Sequence, residues 1–159
     1  HSAGEARGEA MGSVEVEPFL ADLAATWRET HPAVDFALRT IALQDAKVAA
    51  EPALRQAIWS LLENAAEASP AVVTLVGERS GEHIEISVQD SGPGFSDLQL
   101  ASVGKLYQST KGPGHGLGLF LAVNVARRLG GRLEVSNLSE GGAEVRVVLP
   151  LLSTREGAS

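Results

Sequence analysis

The stretch His83-Ile84-Glu85-Ile86-Ser87-Val88-Gln89-Asp90-Ser91-Gly92-Pro93-Gly94 is a β-rich run that stops abruptly at an acidic residue, with glycines two and four positions further on. Upstream, Val72 to Glu78 is a second β-rich run. Only Arg79-Ser80-Gly81 separates the two, which predicts an antiparallel hairpin. Before it, Pro52 opens a stripe of Leu54, Ala57, Ile58, Leu61, Leu62 and Ala65 with a 3.6-residue period, the pattern of a helix running to about Ala68 and stopped by Pro70. Downstream, Phe95 to His115 has weak periodicity and is too long for an ordinary connection, which marks a functional lid. Leu117 to Leu129 reads as a helix entered through glycines and left through Gly130-Gly131. A second hairpin follows, Arg132 to Asn137 and Ala143 to Leu149, around Glu140-Gly141-Gly142.

Toward the N-terminus, Pro18, Phe19, Leu20, Leu23 and Trp27 predict a first amphipathic helix. Val34 to Leu38 and Ala46 to Ala49 suit short strands, with Thr40 to Asp45 ambiguous between them. Residues 1–13 are small and polar and read as a linker, 14–152 as one domain, and 153–159 as a flexible tail. Helices and hairpins in this order, without a βαβαβ repeat, predict an α+β two-layer sandwich with helices on one sheet face.

Composition narrows the function. A chain of 159 residues, 44% of them hydrophobic, is long enough for a single real core. A net charge of -7 with scattered Lys and Arg leaves no basic face for a nucleic-acid backbone. The absence of cysteine removes disulfides and thiolate metal sites and fits a reducing compartment. No apolar run approaches the roughly 20 residues of a membrane-spanning helix, and no signal peptide is visible. The expectation is a cytoplasmic domain that contacts neither nucleic acid nor membrane directly.

Three clusters carry chemistry. Asn64, in Glu63-Asn64-Ala65-Ala66-Glu67, lies off the centre of the apolar stripe, and an amide oxygen is a suitable hard ligand for Mg²⁺; a plain surface Asn is the alternative. Asp90 in Asp90-Ser91-Gly92-Pro93-Gly94 is an acceptor able to read an exocyclic amine such as that of adenine, with Gly92 and Gly94 clearing space for a flat base. The same pentapeptide equally suits an Asx-type turn. In Gly112-Pro113-Gly114-His115-Gly116-Leu117-Gly118-Leu119, four glycines lead into a helix whose free N–H groups suit a phosphate; a flexible turn is the alternative.

Taken in order, Asn64, Asp90 to Gly94, and Gly114-His115-Gly116-Leu117-Gly118 strongly resemble the N, G1 and G2 boxes of the GHKL ATPase superfamily, a likeness covering nearly all of Val14 to Pro150. It implies the Bergerat fold, a mixed and mainly antiparallel sheet covered on one face by helices, with ATP held under a lid. Gly116 to Leu119, Gly130-Gly131-Arg132-Leu133-Glu134-Val135-Ser136 and Val148-Leu149-Pro150 look like two-component sensor histidine kinases rather than gyrase, heat-shock or mismatch-repair ATPases. The short lid Gly104 to Lys111, with Phe120-Leu121-Ala122, is similar to the RegB/PrrB redox-sensing group.

The resemblance assigns roles. Asn64 would ligate the Mg²⁺ that bridges the ATP phosphates, and Asp90 would bind the adenine amino group beside Gly92 and Gly94. Gly114, His115, Gly116, Leu117 and Gly118 would line the phosphates, and Lys111 would reach the terminal one. Asn64 and Lys111 are thus the catalytic candidates. The implied reaction is transfer of the γ-phosphoryl group to a histidine on a dimerisation domain, for relay to an aspartate of a response regulator. None of His1, His31, His83 and His115 sits in an H-E/D-x-x-x-P-like helical segment, so the acceptor is expected on another part of the parent protein, which the resemblance implies is an inner-membrane sensor.

Some positions depart from the pattern. Ser60 stands where such kinases carry Asn and the ATPases a catalytic Glu, which disfavours water activation. Glu67 replaces a basic residue, and Ala143 replaces a Thr that supports the adenine-binding Asp. These changes keep open a nucleotide-blind docking module, and an anti-sigma-factor-type serine kinase is a further alternative. Trp27 and Trp59 read as core or partner-facing anchors, and Tyr107 as a residue that either closes over the nucleotide or ties down the lid.

Overall fold

A computed structural model describes residues 12–67, 72–92, 94, 96 and 115–152, the first four residues of the last helix (115–118) by backbone only. The elements run β1 (Ser13–Glu15), α1 (Val16–Thr30), β2 (Asp35–Ile41), β3 (Lys47–Ala49), α2 (Pro52–Ala66), β4 (Val72–Ser80), β5 (His83–Asp90), α3 (His115–Arg128), β6 (Arg132–Asn137) and β7 (Ala143–Pro150).

Five strands form one sheet in the order β2-β4-β5-β7-β6. Three of its pairings are antiparallel, while β2 and β4 run parallel because a crossover through β3 and α2 joins them. The sheet is therefore mixed and mainly antiparallel, as expected. Both predicted hairpins are present. In the first, β4 extends through Ser80, so Ser80 pairs with His83 and the turn shrinks to Gly81-Glu82.

Alternation divides the sheet into two faces. Val73 and Leu75 of β4, Ile84, Ile86 and Val88 of β5, and Val145, Val147 and Leu149 of β7 point into one cluster with the inner faces of all three helices. Within it α1 supplies Leu20, Leu23 and Trp27, α2 the predicted stripe, and α3 Ala122, Val125 and Ala126. This is the two-layer α+β sandwich, with α2 in contact with both its neighbours, α1 and α3.

Helix ends follow local chemistry. The Glu51 carboxylate accepts the Ala53 N–H at 3.0 Å to cap α2, with Pro52 in the first turn. After α3, the Gly131 N–H donates to Ala126 O and the Gly130 N–H to Arg127 O, the pair of bonds of a Schellman motif.

Several boundaries differ from the sequence reading. Strand β1 begins at Ser13, the last residue of the expected linker, and pairs antiparallel with β3. Three residues are too few for a periodicity signal, and tertiary pairing creates the strand. Strand β2 continues to Ile41, and the ambiguous segment ends in Ala42 and Asp45 at φ near 60°, a sharp reversal that keeps Leu43 and Ala46 in the core. Helix α2 ends at Ala66 rather than Ala68, before residues 68–71, which with Pro70 lie outside the described residues. Helix α3 starts at His115 rather than Leu117, so Gly116 lies inside its first turn, alongside Gly118, instead of ahead of it.

Leu62 is fully buried at the centre of the α2 stripe. Leu62→Ala is expected to cost about 2–5 kcal/mol, read as a lower urea midpoint with an unchanged denaturation slope.

Candidate functional site

The site begins with the pleat of β5. Ile84, Ile86 and Val88 face the helices, so Asp90, two residues beyond Val88, emerges on that same face where the strand ends. Its neighbours across the sheet are Val73 on β4 and Ala143 on β7. The Asp90 Oδ1 accepts the Gly92 N–H at 2.8 Å, which turns the chain away from the sheet. The Asx-type turn and the acceptor role are thus compatible, because a carboxylate has two oxygens and the turn uses one.

The glycines of the β6–β7 turn shape the floor beneath Asp90. Gly142 adopts φ 107°, and a Cβ there would fall on the carbonyl oxygen of Asp90. Gly141 also has positive φ but open space around it. Gly94, at φ 85°, lies against the Asn137 side chain, whose Oδ1 would be 2.7 Å from a Cβ at that position. The end of β5, the glycines after it and the β6–β7 turn are therefore one packed unit. The sequence reading treated Gly141-Gly142 only as a turn, and the paired glycines were its one visible signal.

Asn64 lies in the last turn of α2, half-buried between the buried Leu61, Leu62 and Ala65, as its offset from the stripe predicts. Its carbonyl accepts the Glu67 N–H at 3.2 Å. Ser60 is half-buried one turn earlier, and Glu67 is exposed at the helix end. The helix contacts both β5 and α3, so the elements that carry Asn64, Asp90 and residues 115–118 adjoin one another. Residues 115–118 form the first turn of α3, where backbone N–H groups have no intrahelical acceptor. Lys111, Gly114, Pro93, Tyr107 and the remainder of the lid 104–111 lie outside the described residues, as do the side chains of His115 and Leu117.

On the opposite sheet face stands a polar network that the sequence reading missed. The Gln89 Nε2 donates to Glu144 at 2.8 Å, and the Arg146 guanidinium donates to the same carboxylate at 2.9 Å. Arg146 also lies within 4 Å of Glu85 and Glu134. Glu144 is buried to 7% exposure, so both of its oxygens are satisfied from within the sheet. Charges at alternating positions 144 and 146 of a β-rich run were the available sign.

Among the described residues, no group of three or more His, Cys, Asp or Glu could hold a metal. A lone amide oxygen from Asn64 fits instead a cation carried mainly by substrate phosphates.

Residues 49–153 match the family described as histidine kinase-, DNA gyrase B-, and HSP90-like ATPases. The chain belongs to that family. It is 40% identical over 108 residues to the C4-dicarboxylate transport sensor protein DctB of Pseudomonas aeruginosa, covering 64% of this chain and 18% of that protein. The catalytic domain of the histidine kinase ThkA superposes with a TM-score of 0.74 at 22% identity, over 87% of this chain and 93% of that one. The ATP-binding domain of PrrB from Mycobacterium tuberculosis gives a TM-score of 0.72 at 25% identity, over 89% and 97%. The fold is thus the Bergerat fold, in its histidine-kinase ATPase-domain form. The chain spans between 18% and 30% of the length of the curated relatives it matches. None of its described helices is long and apolar enough to cross a membrane.

Gly142→Ala is expected to lower the thermal midpoint clearly more than Gly141→Ala. Each imposes a left-handed backbone on an alanine, about 1–2 kcal/mol, but only the first drives a methyl group into the Asp90 carbonyl.

Proposed function

We propose that this domain binds Mg·ATP and, within its parent protein, supplies the γ-phosphoryl group to a histidine on a dimerisation domain, for relay to a response-regulator aspartate. The observation that carries this reading is Asp90. It ends the central strand on the helix-covered face, with one oxygen fixed by Gly92 and no side chain beyond Cβ at 92, 94, 142 or 143 to crowd it.

In this reading the second oxygen of Asp90 accepts a hydrogen bond from the adenine amino group, and Gly92 and Gly94 let the base lie flat. The first turn of α3, with Gly114 to Gly118, directs N–H groups and its positive dipole end at the phosphates. Asn64 contributes one oxygen to the magnesium, and Lys111 meets the terminal phosphate. Phosphoryl transfer depends mainly on positioning and charge stabilisation, so these groups prepare ATP without a covalent nucleophile. Half-buried Ser60 offers no base one turn before Asn64, which favours transfer to a protein acceptor over hydrolysis. The reading places the domain in the cytoplasm, where ATP is, on a parent that is a membrane sensor kinase. Placement in the RegB/PrrB-like group rests on the lid and on Phe120-Leu121-Ala122.

Ala143 stands directly across the sheet from Asp90, where it adds no hydroxyl to the carboxylate's surroundings. This favours weaker nucleotide binding than a Thr there would give, and with Ser60 and Glu67 it stands on the side of a docking module that has lost ATP.

The test is thermal unfolding with and without Mg·ATP, on the wild type and on Asp90→Asn. Asparagine keeps an oxygen for the Gly92 N–H but turns the other position into a donor, so the fold survives while the adenine contact is lost. Wild-type protein at 100 times Kd should gain about 2.7 kcal/mol, and the variant should gain far less at the same concentration. A wild type indifferent to millimolar nucleotide would leave the docking module as the better account.

A further inference from the structure

The last turn of α2 has an electrostatic problem. It carries Glu63 and Glu67 and no basic residue, although a helix C-terminus bears partial negative charge. It also ends without a left-handed glycine cap, Glu67 continuing in the right-handed helical region at φ -73°. Left to itself such a turn frays, and Asn64 is part of it.

A residue of another helix meets this turn. His31 is the C-terminal cap of α1, its N–H donating to Arg28 O at 3.2 Å. Its ring stacks on Trp27 with centroids 3.9 Å apart and planes 9° from parallel, and meets Trp59 edge-on at 6.3 Å. Its Nε2 lies 2.9 Å from Glu63 Oε2; a carboxylate only accepts, so Nε2 carries the hydrogen. On the other side Nδ1 is 2.7 Å from the Thr30 hydroxyl and 3.1 Å from the Trp27 carbonyl. The ring is therefore held on its face, on one edge and at both nitrogens. Trp59 and Glu63 are four residues apart on α2, so one imidazole grips two successive turns of the helix face that leads to Asn64.

We propose that His31 is a positioning residue for Asn64: its bridge to Glu63 anchors the final turn of α2 and so sets the place of the amide oxygen that meets the nucleotide-borne metal. The proposal rests on the Mg·ATP reading above. It assigns a task to a histidine that otherwise stands only before a proline in a connecting loop.

The experiment measures affinity for a non-hydrolysable ATP analogue by calorimetry, once in magnesium and once in EDTA, on the whole 159-residue chain. Amide exchange at Glu67, whose N–H bonds to Asn64 O, is read in the nucleotide-free protein. His31→Ala and Glu63→Ala should each weaken the magnesium-loaded complex about threefold to tenfold, leave binding in EDTA within about twofold, and speed exchange at Glu67. The double variant should lose no more than either single one. His31→Gln and Glu63→Gln, which keep a donor and an acceptor respectively, should restore most of the magnesium effect, and they carry the comparison if an alanine variant does not fold. Equal weakening with and without magnesium, or faster exchange with the magnesium effect intact, would overturn the positioning role. A wild type that binds the analogue equally in both buffers would overturn it too, by removing Asn64 from the metal. A wild type that binds in neither buffer would overturn the nucleotide reading itself, and the positioning role with it.

Discussion

Burial of Ile84, Ile86 and Val88 against the helices is the constraint from which the site follows. These residues lie on the middle strand of five, and each is within 2% of complete burial. A strand has a period of two, so a slip of one residue would carry the row to the open face and Asp90 with it. The core thereby fixes the direction of Asp90 at the strand's end. The same parity sends Gln89 to the other face, where its amide donates to Glu144, itself held by Arg146. Hydrophobic burial on one side and the Gln89–Glu144–Arg146 network on the other both resist the slip.

The end of β5 is also where backbone, rather than side chain, fills space. Gly142 lies against the Asp90 carbonyl, Ala143 pairs with Asp90 in register, and Gly94 returns to lie against Asn137. A larger side chain at 142 would meet the Asp90 main-chain carbonyl, and one at 94 would meet the Asn137 side chain. Backbone can pack this closely at the end of β5 because the side chains there are thinned, while the strand pairing continues to the last residue.

Much of this was legible in the sequence, for reasons that can be named. The α2 stripe, the two hairpins and the exit of α3 through Gly130-Gly131 each carry strong local periodicity or turn chemistry, and each appears within a few residues of its expected place. Asn64 and Asp90 stand out as candidates because they are polar residues beside apolar elements. What was not legible depends on contacts distant in sequence. Strand β1 exists through its pairing with β3, and the parallel placement of β2 through a crossover. The role of Gly142 appears only when Asp90 is seen beneath it. The start of α3 was placed two residues late because glycine is a poor helix former, and the helical first turn overrides that propensity. The bridge from His31 is invisible in the sequence because nothing within its neighbourhood in the chain reveals Glu63, 32 positions away.

On the Mg·ATP reading, the surroundings of Asn64 on α2 bear on where the nucleophile comes from. Between Ser60 and Asn64 the helix presents Leu61 and Leu62 to the core, and Glu63 is engaged by His31, so none of these is disposed to deprotonate water. Exposed Glu67 lies beyond Asn64, at the helix end. On the Mg·ATP reading, a domain that holds a phosphoryl donor without activating water conserves it until an acceptor with its own nucleophile arrives. Relatives of which this chain covers less than a third have ample length to supply one. On that reading slow hydrolysis follows from the site's construction, and transfer waits for the acceptor.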